Sequence, residues 1–237
     1  MKKLVLAVSA LALSAVSASA ADLAARPYTK APVAPLGYDW SGFYVGANGG
    51  GGWVNNAYSD ALSGITDGSN TGSGAIAGGQ VGWRTQASWL VWGFDLTGDW
   101  AGIKGSNTSA GFNPGTVWTT KTNGLFTIAA TAGYAVNNVL LYAKGGGGWT
   151  SNTVSEAVTA TSLYEARWGA LLGAGIEYGL TPNWTIGVEY NHYFLGAVTD
   201  AVGPAAATTG ERVSQNGLDT VTARLNYKFG GPIVARY

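Results

Sequence analysis

The 237-residue sequence has no cysteine, a single histidine (His192) and few charged residues. Without cysteine, neither a disulfide framework nor a thiolate metal site can form, and one histidine is too few for a typical zinc site. Only 11% of the residues are charged, against about 25% in average soluble domains. Thirteen basic residues balance thirteen acidic ones, which excludes a basic nucleic-acid-binding protein. No stretch of ~20 consecutive apolar residues predicts a helical membrane span.

The N-terminus has the pattern of a secretory signal peptide. Lys2 and Lys3 precede an apolar run over 4–16, which is too short to span a bilayer as a helix. The small residues Ala18-Ser19-Ala20 then match a signal-peptidase cleavage site. We therefore predict a signal peptide over 1–20 and export of the mature chain.

Two regions follow the predicted cleavage site. Residues 21–38 are rich in alanine and contain three prolines, which predicts an extended periplasmic segment. Residues 39–237 hold most of the 37 glycines and all ten tryptophans, and they form the main predicted domain. Sparse charge combined with many glycines and tryptophans favours a chain that faces lipid.

The main domain alternates apolar and other residues with a period of two, as expected of strands that have one apolar face. In the third window, for example, Trp92 and Phe94 alternate with Gly93 and Asp95. The eight windows are 43–48, 75–84, 90–97, 126–134, 139–144, 167–178, 184–191 and 221–229.

The links between these windows alternate in length. The short links are 85–88, 135–138 and 179–183, and the long polar links are 55–72, 101–123, 150–164 and 196–216. Outer-membrane barrels have short periplasmic turns and longer external loops, and an edge-free sheet is needed in lipid. The sequence therefore predicts an all-β fold: a transmembrane, eight-stranded, antiparallel up-and-down β-barrel with short periplasmic turns and long external loops.

Tryptophans cluster near the ends of the predicted strands, where an amphipathic indole favours the membrane interface. The alternative is a soluble β-protein with tryptophans in its core, which would place them in the middle of strands. Trp92 and Trp118 do not fit the interface pattern. The residues assigned to the interface are Trp40, Trp53, Trp83, Trp89, Trp100, Trp149 and Trp184.

Four short motifs resemble the small outer-membrane barrel proteins of alphaproteobacteria, known as porin-family or opacity-type surface antigens. They are Trp40-Ser41-Gly42-Phe43-Tyr44-Val45-Gly46, Gly173-Ala174-Gly175-Ile176-Glu177-Tyr178, Val188-Glu189-Tyr190 and Leu225-Asn226-Tyr227-Lys228-Phe229. The resemblance covers the mature chain except its long links. It implies the outer membrane of a Gram-negative bacterium and roles in envelope integrity, surface antigenicity or adhesion. Some members of this family bind haemin or pass solutes, and the resemblance implies these roles as alternatives.

Two sets of partners are expected. A barrel in the outer membrane should contact outer-membrane lipid and lipopolysaccharide, and the resemblance implies the barrel-insertion machinery, which reads the last strand. Tyr227 and Phe229 supply the expected aromatic pair. The chain departs from the family pattern at Arg224, where a glycine is common, and in residues 230–237 beyond the pair. The sequence predicts no nucleic-acid partner and leaves the oligomeric state open.

Two features of the sequence bear on catalysis and ligand binding. His192 could belong to a Ser-His-acid hydrolase, but no G-x-S-x-G motif accompanies it, and an interfacial aromatic role is favoured. The glycine runs 49–52 and 145–148 lack the Lys-Ser/Thr and helix of a phosphate loop, and they favour curved strands with room for facing side chains. We predict no enzyme activity, no catalytic, cofactor-binding or metal-binding residues, and no cofactor.

The alternation places charged residues on the inner face of the barrel. Buried charges must be paired, so we predict a lumen filled by acid–base pairs, with an ion path as the alternative. Asp95, Lys144, Glu189 and Arg224 are expected near mid-height. The other inward charges are Arg84, Arg167, Glu177 and Lys228.

The leading functional prediction is a structural and surface protein of the envelope, whose external loops make its interactions. The alternatives are a small-solute porin, which an eight-stranded monomer suits poorly, or a haemin-binding or other ligand-binding protein. His192 is the single candidate axial ligand for haemin.

Overall fold

The computed structural model describes residues 37–60, 66–108, 115, 117–156, 162–200 and 211–229. The predicted signal peptide and the predicted extension up to residue 36 lie outside these ranges, so both stay predictions. Within the ranges the regular secondary structure is all β-strand, and no helix there is long and apolar enough to cross a membrane.

Nine strand segments follow one another along the chain. They are β1 (Gly42–Asp60), β2 (Thr66–Ala87), β3 (Leu90–Thr108), β4 (Val117–Val136), β5 (Val139–Glu156), β6 (Ser162–Gly179), β7 (Trp184–Leu195), β8 (Ala197–Asp200) and β9 (Glu211–Phe229).

The segments form a closed antiparallel barrel. Each of the strands β1 to β6 pairs with the next, and β1 also pairs with β9 from Phe43↔Phe229 to Asp60↔Glu211. β7 and β8 both pair with β9 and are separated by Gly196, so together they form one strand of the wall. The prediction of eight antiparallel strands in an up-and-down order is confirmed. Closure gives every strand a partner on both sides, as lipid requires.

Three tight turns join strands at one end of the barrel, here named the short-turn end. Ser88 and Asn137 are the first central residues of two-residue turns and adopt left-handed φ angles of 59° and 53°, a conformation that asparagine tolerates well. The third turn lies between β6 and β7. The turns at 137–138 and 180–183 lie within predicted short links, and the turn at 88–89 overlaps the predicted link 85–88. The opposite end is named the long-hairpin end.

The predicted long links are wrong in their bounds, because paired strand continues into all four of them. Asn55 pairs with Thr71 and Asn56 with Asn70 inside the first link, for example. Beyond the apolar band both faces of a strand can be polar, so the period-two signal ends although the backbone still pairs. Strands of up to 22 residues therefore exceed the ~9–11 residues needed to cross a membrane.

The outer face of the barrel is apolar, as the alternation predicts. Phe43, Ile128 and Ile176 point outward and are exposed, whereas their strand neighbours face the lumen. Trp92 belongs to this outer face as well: its ring packs edge-on against Trp83 at 5.8 Å near the short-turn end. The sequence pattern left Trp92 unassigned, and the structure places it among the outward aromatic residues. The side chain of Trp118 lies outside the described residues.

Candidate functional site

The lumen collects the charged residues that the alternation assigned to it. All eight have buried side chains, and the structure groups them into pairs and one larger network. They are Arg84, Asp95, Lys144, Arg167, Glu177, Glu189, Arg224 and Lys228.

Four of these residues form the central charge cluster, defined as Asp95, Lys144, Glu189 and Arg224. Lys144 Nζ lies 2.7 Å from Asp95 Oδ1 and 2.9 Å from Glu189 Oε1. Arg224 Nη2 lies 2.6 Å from Asp95 Oδ2, and Nη1 of the same guanidinium bonds Glu189 Oε2. The residues come from β3, β5, β7 and β9, so the contacts cross the lumen. Two acids and two bases give zero net charge, which a buried cluster requires.

Neighbouring polar side chains complete the hydrogen bonding of the two carboxylates. Tyr44 Oη donates to Asp95 at 2.8 Å, and Tyr142 Oη donates to Glu189 at 2.7 Å. Thr97 Oγ1 and Asn191 Nδ2 add further donors at 3.0 and 2.9 Å, to Asp95 and Glu189 respectively. These contacts hold the two carboxylates in one geometry, because a displaced carboxylate would leave buried charges unpaired.

A second ion pair lies closer to the short-turn end. Arg84 Nη1 is 2.9 Å from Glu177 Oε2, and its guanidinium stands 4.6 Å above the centre of the Tyr44 ring. Glu177 also accepts hydrogen bonds from Thr185 and, at 3.0 Å, from Asn226 Nδ2. The pair therefore extends the polar filling below the central charge cluster.

The short-turn end is closed by aromatic side chains, and this corrects the prediction for Trp40. Trp40 is 2% exposed and lies inside the barrel rather than at the lipid interface. Its ring packs against Tyr38 at 4.5 Å, and the ammonium of Lys228 stands 4.7 Å above the Tyr38 ring. Burial raises the pKa of the Tyr38 phenol, which precedes the first strand, so the phenol stays neutral. The chain before β1 and inward residues of β3 and β5 thus form a lumen floor, defined as Tyr38, Trp40, Val91, Leu140 and Tyr142.

An apolar layer fills the lumen on the long-hairpin side of the central charge cluster. The sequence predicted a lumen filled by acid–base pairs and did not predict this apolar layer. The period-two alternation nevertheless places Ile76 and Leu171 on the inner face of the barrel. Its members are Val54, Ile76, Ala101, Ile103, Leu125, Ala129, Leu171, Tyr193, Leu195 and Leu218.

A small cavity borders both the apolar layer and the central charge cluster. Its walls include Ile76 and Tyr193 on one side and Lys144, Glu189 and Arg224 on the other. The centre of a water molecule can move within about 10 Å³ of this cavity, so the cavity holds about one water molecule.

Arg167 lies further toward the long-hairpin end. Its Nε bonds Glu165 on the same strand, and its Nη1 donates to the backbone oxygen of Gly196 at 3.2 Å. Gly196 separates β7 from β8, so this arginine ties the interrupted strand to β6.

His192 lies on the outer wall of the barrel, as the alternation predicts. Its Nδ1 is 2.7 Å from Asp219 Oδ1, and its ring packs edge-on against Phe194 at 4.4 Å. Tyr190 Oη donates to the same Asp219 oxygen at 2.5 Å. No group of three or more potential metal ligands occurs in the part of the chain that the structure describes.

The glycine runs make room for neighbouring atoms. A Cβ on Gly146 would lie 2.0 Å from the backbone oxygen of Ile128, and one on Gly148 would lie 2.4 Å from the Tyr193 ring. The same atom on Gly147 would meet no heavy atom closer than 3.9 Å. These close approaches agree with the interpretation of glycine-rich, curved strands that leave space for facing side chains.

Comparison with known proteins agrees with this architecture. The chain is 29% identical to the 31 kDa outer-membrane immunogenic protein of Brucella melitensis, over 97% of this chain and 100% of the relative. The protein of the same description from Brucella suis gives the same values. Among solved structures, the outer membrane protein OprG from Pseudomonas aeruginosa shares the fold with a TM-score of 0.59 at 16% identity. That match covers 83% of this chain and 99% of OprG.

The comparisons show the location of the protein, and the loop-length rule for outer-membrane barrels assigns the two ends of the barrel. In outer-membrane barrels the short turns face the periplasm and the longer hairpins face outward, so the short-turn end is periplasmic and the long-hairpin end external. The outer membrane of a Gram-negative bacterium is therefore the location of the protein. The family described as "Outer membrane protein beta-barrel domain" matches residues 8–229, and this chain belongs to it.

Proposed function

We propose that the protein is a non-enzymatic structural and surface component of the outer membrane, with a lumen closed to solutes. The central charge cluster carries this proposal, because its four side chains span the lumen and bond one another, with three of the ion pairs at 2.6–2.9 Å. Opening a path through the cluster would separate buried charges at a cost of several kcal/mol. The lumen floor and the apolar layer support closure from both sides.

A surface role is supported by the extent of wall beyond the apolar band. Strands of 18 to 22 residues, such as β2 and β5, project paired and polar backbone outside the membrane. The Brucella relatives are named as immunogenic proteins, which is consistent with an externally accessible surface. We extend this to lipopolysaccharide and lipid as the partners of the outer wall. We also extend it to the barrel-insertion machinery as the transient partner of β9.

Single-channel recording tests the closed lumen against the porin alternative. The mature protein would be refolded, checked by heat-modifiable gel mobility, and inserted into a planar bilayer. The proposal predicts no conductance steps above the lipid background. Discrete steps that change when Glu189 is replaced by Gln would overturn it and favour a small-solute pore. Steps that persist unchanged in the Glu189→Gln and Arg224→Gln variants would point to a contaminating larger porin, and the preparation would be repeated.

A further inference from the structure

Charged side chains are sorted between the two faces of the barrel wall. Among the strand residues whose side chains the structure describes, only Lys104, Lys121 and Asp219 carry a formal charge outward. Lumen-facing charges number far more, since a charge in contact with hydrocarbon is costly. They are Arg84, Asp95, Asp99, Lys144, Glu165, Arg167, Glu177, Glu189, Arg224 and Lys228.

The outward acid is partnered, whereas the two outward bases are not. Asp219 receives hydrogen bonds from Tyr190 and His192, as described above. Lys104 and Lys121 stand directly opposite each other on β3 and β4, and neither ammonium has an ion pair or hydrogen bond in the described structure. Their inward neighbours Ile103 and Thr122 are buried, which confirms that both lysines point outward.

The lysine pair is electrostatically unfavourable by itself. Directly opposite residues in an antiparallel pair have Cβ atoms about 5 Å apart, and like charges at this position destabilise the sheet. An anion held between the two ammonium groups would convert the repulsion into attraction. Hydroxyl groups flank the pair, with Ser73 opposite Lys104 on β2 and Thr153 opposite Lys121 on β5.

The height of the pair matches the lipid head-group layer. Trp100 and Phe126 are outward, exposed aromatic residues on the same two strands and mark the external limit of the apolar band. Lys104 follows Trp100 by four residues, which is roughly 10 Å along the membrane normal for a strand tilted by ~40°. Lysine side chains at this level extend into the layer that contains lipid phosphates.

We propose that Lys104 and Lys121 form a docking site for the phosphorylated sugar head group of an outer-leaflet glycolipid, namely the lipid A part of lipopolysaccharide. The inference rests on the proposed contact between the outer wall and lipopolysaccharide, and it locates that contact on β3 and β4. Phosphate supplies the missing negative charge, and the flanking hydroxyls suit a sugar. The fatty acyl chains of the same molecule would lie along the apolar band beneath the pair.

Native mass spectrometry of the refolded mature protein, with bisphosphorylated lipid A added to the detergent, tests the site. The Lys104→Gln/Lys121→Gln variant removes both charges, and the Lys104→Arg/Lys121→Arg variant keeps them as a matched control. From the attraction of each basic residue for an anionic lipid surface, summed over the two lysines, the glutamine variant should bind lipid A roughly thirtyfold more weakly. The arginine variant should bind like the wild type. Heat-modifiable mobility establishes that each variant folds.

Three further measurements make the outcome decisive. Dephosphorylated lipid A should bind the wild type and the glutamine variant equally. Phosphatidylglycerol or inorganic phosphate binding as tightly as lipid A would overturn the proposal in favour of a general anion site. Without lipid A, the glutamine variant should be at least as stable as the wild type, because a repulsion has been removed. Equal lipid A binding by all variants overturns the site. It leaves the closed lumen untouched, since conductance does not depend on these lysines.

Discussion

Replacing Glu189 by Gln tests whether the central charge cluster stabilises the barrel. The change preserves the shape of the side chain but removes one of two negative charges, so Lys144 and Arg224 must share Asp95. Tyr142 donates to Oε2 of Glu189 and Asn191 donates to Oε1, so an amide, which has a single acceptor oxygen, can keep only one of these two hydrogen bonds. Breaking a buried pair from one side typically lowers the free energy of unfolding by ~3–5 kcal/mol. We expect a loss in this range.

Urea unfolding of the barrel in phosphatidylcholine vesicles, followed by tryptophan fluorescence, measures the loss. Thr222→Val is the matched control, because Thr222 lies directly opposite Glu189 on β9 and carries no charge. It should change the unfolding free energy by less than ~1 kcal/mol. The Glu189→Gln/Lys144→Met variant restores neutrality and should be more stable than the sum of its single changes by at least ~1 kcal/mol. A Glu189→Gln barrel as stable as the Thr222→Val control would refute the reasoning.

Three other changes have defined outcomes. Trp40→Ala removes a fully buried ring from the lumen floor and should lower the free energy of unfolding by ~3–5 kcal/mol in the same urea assay; an unchanged midpoint would contradict the buried position. Gly146→Ala should reduce the refolded fraction on heat-modifiable gels, because its Cβ would clash with Ile128 oxygen, whereas Gly147→Ala should refold like the wild type. Equal yields for the two variants would contradict the close approach. Phe229→Ala should slow assembly in cells, measured as the amount of protease-resistant barrel after pulse labelling. Phe126→Ala, at the external end, should not slow it. Equal assembly rates for the two variants would argue against recognition of the last strand.

The strand pattern and the inward charges were predictable because lipid imposes a simple rule on each residue. A strand in a membrane must be apolar on alternate positions, so Asp95 and Glu189 could be assigned to the lumen from parity alone. The rule stops at the edge of the apolar band. Beyond it water solvates both faces of a strand, which is why the paired residues around Asn55 and Thr71 were predicted as a loop.

Trp40 shows where local pattern was insufficient. Its place just before a strand suited the membrane interface, but the chain passes across the open end of the barrel at this point, and the ring enters the lumen beside Tyr38. No periodicity describes a segment before the first strand. The direction of its side chains depends on the path of the chain relative to the finished barrel.

The amino-acid sequence by itself determined that this chain forms an exported, eight-stranded barrel with charges inside and apolar residues outside. Lipid on the outer face and the lumen on the inner face restrict the type of residue at each strand position separately, so the pattern is visible without the structure. Tertiary structure decided which charges meet. Asp95, Lys144, Glu189 and Arg224 lie on four different strands, and the register of the closed sheet brings them together. Register likewise sets Lys104 opposite Lys121 on the outer wall. Such contacts between residues distant in sequence depend on how the strands align around the barrel, which no single strand specifies.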